Sequence, residues 1–262
     1  MSFRLIVHPK MDGRLAMAFD EVLVGEVGEG GSAPTIRLYG FSPPTLSVGR
    51  FQSVKDGLDA ERMKKDGVCL VRRPTGGHAV FHDDELTYSV ALRKVELDGT
   101  LGSHRKRAVY EYIASMLLEG LGALGISALV NSRQIGDPHN PDCFGSSGEY
   151  EITGRSGRKL IGSAQMTTRN AVLQQGSIPI SSLRGRALRY LAHAGSADEG
   201  EPSSLSEEAG RSLGFEEVRD AFAEALRRRF NAEDSPTTDG EEAAARLLLA
   251  EKYATDAWNL RS

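Results

Sequence analysis

Residues 68–82 read VCLVRRPTGGHAVFH: an apolar run breaks at two arginines, turns through Pro-Thr-Gly-Gly and resumes as a second apolar run. The pattern predicts strand, tight loop, strand, with a cation pair at the bend. Glycines admit positive φ and let a ligand come close to the backbone. Two in one loop also present successive N–H groups that can cradle a carboxylate, a phosphate or a carbonyl. Gly-Gly after Pro-Thr serves equally well as a plain hairpin turn. The loop alone leaves both readings open.

Outward from this loop the chain alternates runs of strands with runs of helix. Leu15, Ala18, Phe19, Val22 and Leu23 share one face of a helix over 15–26, and the glycine cluster 25–31 ends it. That cluster follows no strand and opens no helix, so it is a linker and not a dinucleotide fingerprint. Strands are predicted over 35–39, 45–48 and 86–92, with helices over 57–67 and 104–124. In the second helix Val109, Tyr112, Ile113, Met116, Leu117 and Leu121 repeat at i, i+3, i+4. A polar stretch over 131–148 has a length usually seen in functional loops or in disordered segments. Strands over 149–153, 159–165 and 171–180 follow, then amphipathic helices over 206–230 and 241–253 joined by NAEDSPTTDG. Strands grouped apart from helices imply an α+β fold with mostly antiparallel sheets flanked by helices.

The 262 residues suit one large domain, or one with a small appendage. A net charge of −4 offers no basic field, so nucleic acid is not an expected partner. No apolar run reaches bilayer length and MSFRLIVHPK has no signal-peptide core, so no membrane is implied and a cytoplasmic location is expected. The two cysteines lie in contrasting contexts, which argues against a disulfide framework.

Those contexts are informative. Cys69 in VCLV fits a buried strand thiol. Cys143 in PDCFGSSG lies among turn-forming residues, where a thiol is either incidental or a nucleophile. Lys159 opens a strand on which Lys159, Ile161, Ser163 and Gln165 share a face if it alternates regularly. It reads either as a solvated turn lysine or as a cation that lowers the pKa of a nearby thiol and orients a carbonyl. A shift from about 8.5 to about 7 would raise the thiolate at neutral pH from a few per cent to about half. His78 and His82 lie on a strand segment without metal-ligand spacing and read as polar strand residues; neither cysteine has a C-x-x-C partner. There is no G-x-S-x-G elbow and no Walker loop, and Ser163 has no evident local base.

Taken together, RRPTGGHAVFHDDELTYSV (72–90), GRKLIGSAQ (157–165) and VLQQGSIPI (172–180) resemble the three motifs of the biotin/lipoate protein ligase superfamily. LAMAFDEVL (15–23), PPTLSVGRFQ (43–52) and EKYATDAWN (251–259) support the match, which runs from about residue 13 to 259. The resemblance implies one catalytic domain over 1–262, with C-terminal helices 206–262 packed on it. Cys143-Phe144 shortly before GRKLIGSAQ, together with SSLSEEAGR (203–211), is most similar to the cysteine-dependent octanoyltransferases of that superfamily.

This likeness implies an acyltransferase acting in protein lipoylation, with no cofactor and no metal. Octanoyl would pass from octanoyl-acyl carrier protein to Cys143 as a thioester, then to a lysine of a lipoyl domain or of glycine-cleavage H protein. Lys159 would favour the thiolate and orient the carbonyl. Substrate contacts would come from Arg72, Arg73, Gly76, Gly77 and His78, with the two arginines either meeting acidic or phosphopantetheine groups or only framing the loop. Gly162, Ser163, Ala164 and Gln165 would complete them. One departure is His78, where the family often has Gly or Arg after the paired glycines; a larger ring there could reshape the pocket wall. An ATP-dependent lipoate ligase, a lipoyl amidotransferase between lipoyl domains and a non-catalytic lipoyl-domain binder are the alternatives.

Overall fold

The computed structural model describes residues 1–54, 57–131, 151–191 and 202–261. The chain begins with strand β1 (Phe3–Met11), helix α1 (Gly13–Glu29), strands β2 (Thr35–Phe41) and β3 (Thr45–Val48), and helix α2 (Ala60–Lys65). Strands β4 (Cys69–Arg72), β5 (Val80–His82) and β6 (Glu85–Arg93) precede helices α3 (Lys94–Leu101) and α4 (Lys106–Ala123). Strands β7 (Ala128–Asn131), β8 (Glu151–Gly154), β9 (Lys159–Thr167) and β10 (Ala171–Pro179) lead into helices α5 (Arg184–Ala187), α6 (Leu205–Ala209) and α7 (Phe215–Phe230). Strand β11 (Ala232–Asp234), helix α8 (Asp239–Leu248), a π-helical turn (Leu249–Tyr253) and helix α9 (Asp256–Asn259) close the fold.

Two sheets result, in an α+β arrangement. The larger has the order β11-β1-β2-β6-β10-β9-β8-β7. Strand β1 runs parallel to β11 and β2, and the other neighbours are antiparallel. The smaller sheet is β4-β3-β5, with β4 parallel and β5 antiparallel to β3. Side chains alternate across β6, so the large sheet has two different faces. Leu86, Tyr88, Val90 and Leu92 meet Val109, Ile113 and Leu117 of α4 and Phe222 of α7 in the main core. Each such side chain contributes about 1.5–3 kcal/mol by leaving water. Glu85, Thr87 and Ser89 point the other way. On that face α1 packs Val24 and Val27 against Ala91 and Leu173.

Helix α1 starts where the Asp12 carboxylate accepts hydrogen bonds from the N–H groups of Arg14 (2.9 Å) and Leu15 (3.2 Å). It ends at Gly30, in a left-handed conformation at φ 81°. The helix therefore ends within the glycine cluster, as the sequence reading has it, but runs past the bound of residue 26 given there: helix packing outweighs the weak propensity of Gly25 and Gly28.

Four other features depart from the sequence reading or lie outside it. Strands β4 and β5 flank the opening loop but do not pair with each other; β3 lies between them, so the loop is a crossover and not a hairpin turn. The N-terminal decapeptide forms β1. The span 206–230 divides into α6 and α7 at Gly210, and the polar linker after α7 contains β11. Helix α3 was not anticipated, since residues 94–101 show little amphipathic periodicity. No helix among the described residues is long and apolar enough to cross a membrane.

Candidate active site

The site forms where the two sheets face each other. On β3, Leu46 and Val48 pack into an apolar cluster with Met63, Phe81 and Leu183, while Ser47 points toward the large sheet. On β5, Val80 and His82 point the same way. Opposite them stand Thr87 of β6, Gln175 and Ser177 of β10, and Gly162 and Ala164 of β9. Met17 of α1, with Tyr39 and Phe41 of β2, closes the end. These walls enclose a cleft of about 410 Å3, including its open mouth. Of the lining residues only Ser163 and Ala164 are half-exposed, so the mouth lies at β9.

The loop between β4 and β5 forms the lip of this mouth. Gly77 sits at φ 88°, and a Cβ there would lie 3.9 Å from that of Ala164. A Cβ on Gly49 would lie 1.8 Å from the Gly77 carbonyl oxygen, so the approach of the GG turn requires glycine at 49. Thr75 Oγ1 donates to Gln175 Oε1 at 2.8 Å and ties the loop to β10. The N–H groups of Gly76 and Gly77 donate to no acceptor among the described residues.

Arg72 and Arg73 leave β4 in opposite directions. Arg73 is buried beside the cleft, and its guanidinium folds back on its own loop. Its Nη2 donates to the carbonyls of Gly76 (2.6 Å) and His78 (2.7 Å), and its Nη1 to Ser47 Oγ (3.2 Å). Arg72 points away from the cleft. It donates to the carbonyls of Gly49, Gln52 and Arg261 at 2.7 Å each, and to that of Trp258 at 3.0 Å. Arg72 is therefore a brace between the C-terminus and the turn after β3. Neither residue is the surface cation framing the loop that one sequence reading allowed, and the assignment of Arg72 as a substrate contact is corrected: its donors are all spent on backbone carbonyls.

Two buried polar hubs underlie the cleft. Asp20 of α1 accepts from Arg37 Nη1 (2.7 Å), Tyr39 OH (2.8 Å), Ser89 Oγ (2.6 Å) and Gln175 Nε2 (2.6 Å). Burial and the Asp20 charge push the Tyr39 phenol well above its usual pKa, so it stays a donor. Glu85 accepts from Ser177 and Thr87, and its Oε1 lies 2.6 Å from His82 Nδ1. His82 Nε2 is 2.7 Å from Ser47 Oγ, and the ring stacks on Phe41 at 4.3 Å. Sequence reasoning missed both hubs, although polar residues inside apolar strands (Ser47, Thr87, Ser89) were the available signal. His82 proves to be a buried, bonded member of the cleft wall.

The remaining anticipated residues divide. Gly162, Ser163 and Ala164 line the cleft. Gln165 does not; its Nε2 donates to Gln174 Oε1 at 2.7 Å, and Gln174 in turn donates to Tyr88. Ser163 Oγ lies 2.7 Å from Tyr88 OH. Lys159, 4% exposed, pairs with Glu151 at 2.5 Å, so it is not a solvated turn lysine. It stands three residues before Gly162 on β9. Cys143 itself lies outside the described residues. No group of three or more His, Cys, Asp or Glu able to hold a metal ion occurs among the described residues.

The chain belongs to the lipoyl protein ligase A/B catalytic domain family, whose pattern matches residues 12–227. It is 34% identical to octanoyltransferase LipM of Symbiobacterium thermophilum, covering 99% of this chain and 98% of that protein. The LipM proteins of Exiguobacterium sibiricum and Moorella thermoacetica are 35% and 36% identical, each over 98% of this chain and 98% and 97% of their own lengths. Among solved structures, lipoate-protein ligase A bound with ATP superposes with a TM-score of 0.80 at 23% identity over 99% of both chains. The bi-partite lipoate protein ligase of Thermoplasma acidophilum gives 0.76 at 22% identity, over 99% of this chain and 96% of that one. At that identity the structural likeness speaks for the fold.

Proposed function

We propose that the protein is an octanoyltransferase of protein lipoylation, taking octanoyl from acyl carrier protein and delivering it to a lipoyl-domain lysine through a thioester on Cys143. One observation carries the reading: near full-length identity of 34–36% with proteins that bear this activity in their names. The cleft supports it. It is narrow, buried and mostly apolar, and burying each methylene of an acyl chain there is worth about 0.8 kcal/mol.

In the first step the Cys143 thiolate attacks the donor's thioester carbonyl. The carbon–sulfur bond to the carrier breaks, and the carrier thiol leaves with a proton. Thioester is exchanged for thioester, so no nucleotide is consumed. In the second step an uncharged lysine of the acceptor attacks the acyl-enzyme, forming the amide and restoring Cys143. Lys159 favours the thiolate by its charge. The N–H groups of Gly76 and Gly77, which donate to no acceptor among the described residues, donate to the oxyanion. Gly162 and Ala164 line the path of the chain. The acceptor is a lipoyl domain such as that of glycine-cleavage H protein.

The test is to incubate the protein with octanoyl-acyl carrier protein and apo lipoyl domain, without ATP, and to weigh the intact species. An octanoyl adduct on the enzyme that is lost in Cys143→Ala, together with octanoylated acceptor, is the expected result. Modification only with ATP and free acid would make the protein a ligase. Transfer only from an already acylated H protein would make it an amidotransferase, and no acyl species at all would leave a lipoyl-domain binder.

A further inference from the structure

The Ser47–His82–Glu85 relay is connected in the manner of a nucleophile, base and orienting acid. Its depth argues against that role. Ser47 is 1% exposed, and the half-exposed residues of the cleft are Ser163 and Ala164, on another strand. Strand register gives the depth. Gly162 pairs with Ser177, Ser177 with Thr87, and Thr87 with Tyr39, so these four cleft residues form one row across four adjacent strands. At about 4.8 Å per strand the row is about 14 Å long. The relay spans its middle, because Glu85 accepts from both Ser177 and Thr87.

An extended chain advances about 1.2 Å per bond, so the seven carbon–carbon bonds of an octanoyl group span about 8–9 Å. With its carbonyl at the mouth beside Gly162 and Gly77, the terminal methyl arrives two strands in, at Thr87. There the wall carries the bonded imidazole of His82, which Glu85 ties to Thr87 and Ser177 and which bonds Ser47. One strand further stands Tyr39, whose hydroxyl is committed to Asp20 at 2.8 Å beside Arg37. A longer chain has to push into this hydrogen-bonded end. A shorter one leaves part of the cleft unfilled.

We infer that the Ser47–His82–Glu85 relay, with Met17 of α1, is the stop that sets acyl chain length, and that it selects eight carbons. The inference rests on the acyl-transfer reading above. On the short side, each absent methylene costs about fourfold, so hexanoyl falls about fifteenfold below octanoyl. On the long side, decanoyl has to displace bonded polar groups and falls at least tenfold.

The test is kcat/KM for hexanoyl, octanoyl, decanoyl and dodecanoyl thioesters of the carrier protein, with folding of every variant checked by thermal melting. Ser47→Ala replaces the polar stop by a methyl group, and Met17→Ala opens space beside it; each should raise the decanoyl-to-octanoyl ratio at least fivefold. Val80→Phe fills the cleft without removing a hydrogen bond and should raise the hexanoyl-to-octanoyl ratio by a similar factor. Octanoyl transfer with ratios within twofold of wild type in all three folded variants overturns the inference and leaves the acyl-transfer reading intact. Failure of the wild-type protein to accept any of the four thioesters overturns both.

Discussion

Replacing Arg72 by Lys keeps the charge and removes the fork, and so separates a brace from a substrate contact. The guanidinium holds four carbonyls at 2.7–3.0 Å, those of Gly49, Gln52, Trp258 and Arg261. The backbone N–H of Arg72 also donates to Asn259 Oδ1 at 2.9 Å, and Trp258 Nε1 donates to the Arg72 carbonyl at 2.8 Å. An ammonium group has three donors on a flexible stem and does not reach carbonyls on two sides of a planar group. At least two of the four charged hydrogen bonds are lost, at about 1.5–3 kcal/mol each, and their carbonyls are left buried. A loss of about 4 kcal/mol follows. For a chain of this size that is a fall of about 10 °C in melting temperature, with a lower urea midpoint and an unchanged m-value. In the protein that remains folded, KM for the acyl donor should stay within about twofold, since the side chain points away from the cleft. A melting temperature within about 2 °C of wild type, combined with a KM raised tenfold, would refute the brace and restore Arg72 to the substrate.

Three further outcomes are expected. His8 accepts from Arg37 Nε at 3.0 Å, and burial, then the Arg37 charge, lower its pKa from 6.5 to about 4. The unfolded chain takes up this proton near pH 6.5 and the folded chain resists it, so stability is full above pH 6.5 and falls as pH drops toward 4. After solvent screening the loss is about 1–2 kcal/mol, and His8→Gln should flatten it in urea titrations at pH 7 and pH 4.5. Asp20→Asn leaves Arg37 without a buried counter-charge and should cost about 3–5 kcal/mol in denaturant unfolding; a cost below about 1 kcal/mol would contradict the hub. Gly49→Ala drives a methyl group into the Gly77 carbonyl and so displaces the lip, and should lower kcat/KM for octanoyl transfer by about a hundredfold. An unchanged rate there would show that the lip does not position substrate.

Most of the elements were legible because their signals are local. Helix α4 shows its buried stripe at Val109, Ile113, Met116 and Leu117, and β10 has Val172, Leu173 and Ile178 in a run that turn residues close. The resemblance also joined two segments that meet in the structure, the 73–79 loop and the 162–164 segment, at the mouth of one cleft. What failed was pairing and direction. A hairpin between β4 and β5 stayed open because nothing local announces that β3 inserts between them. Arg72 and Arg73 read as equivalent because adjacent residues on a strand differ only in the face to which they point. Cys69 fits its reading as a strand thiol, and burial raises its pKa.

The sequence by itself determined the fold class and the difference in context between Cys69 and Cys143. These depend on composition, periodicity and short-range spacing, which a linear chain carries openly. Tertiary structure alone decided that Arg72 braces the C-terminus while Arg73 closes the loop. It also decided that Asp20 and Glu85 are the hubs beneath the cleft, and that Ser47, His82 and Glu85, 47 to 85 in sequence, form one relay. The physical reason is that burial makes each polar group depend on partners from distant strands, and those partners are fixed by sheet order and register, which no local pattern encodes.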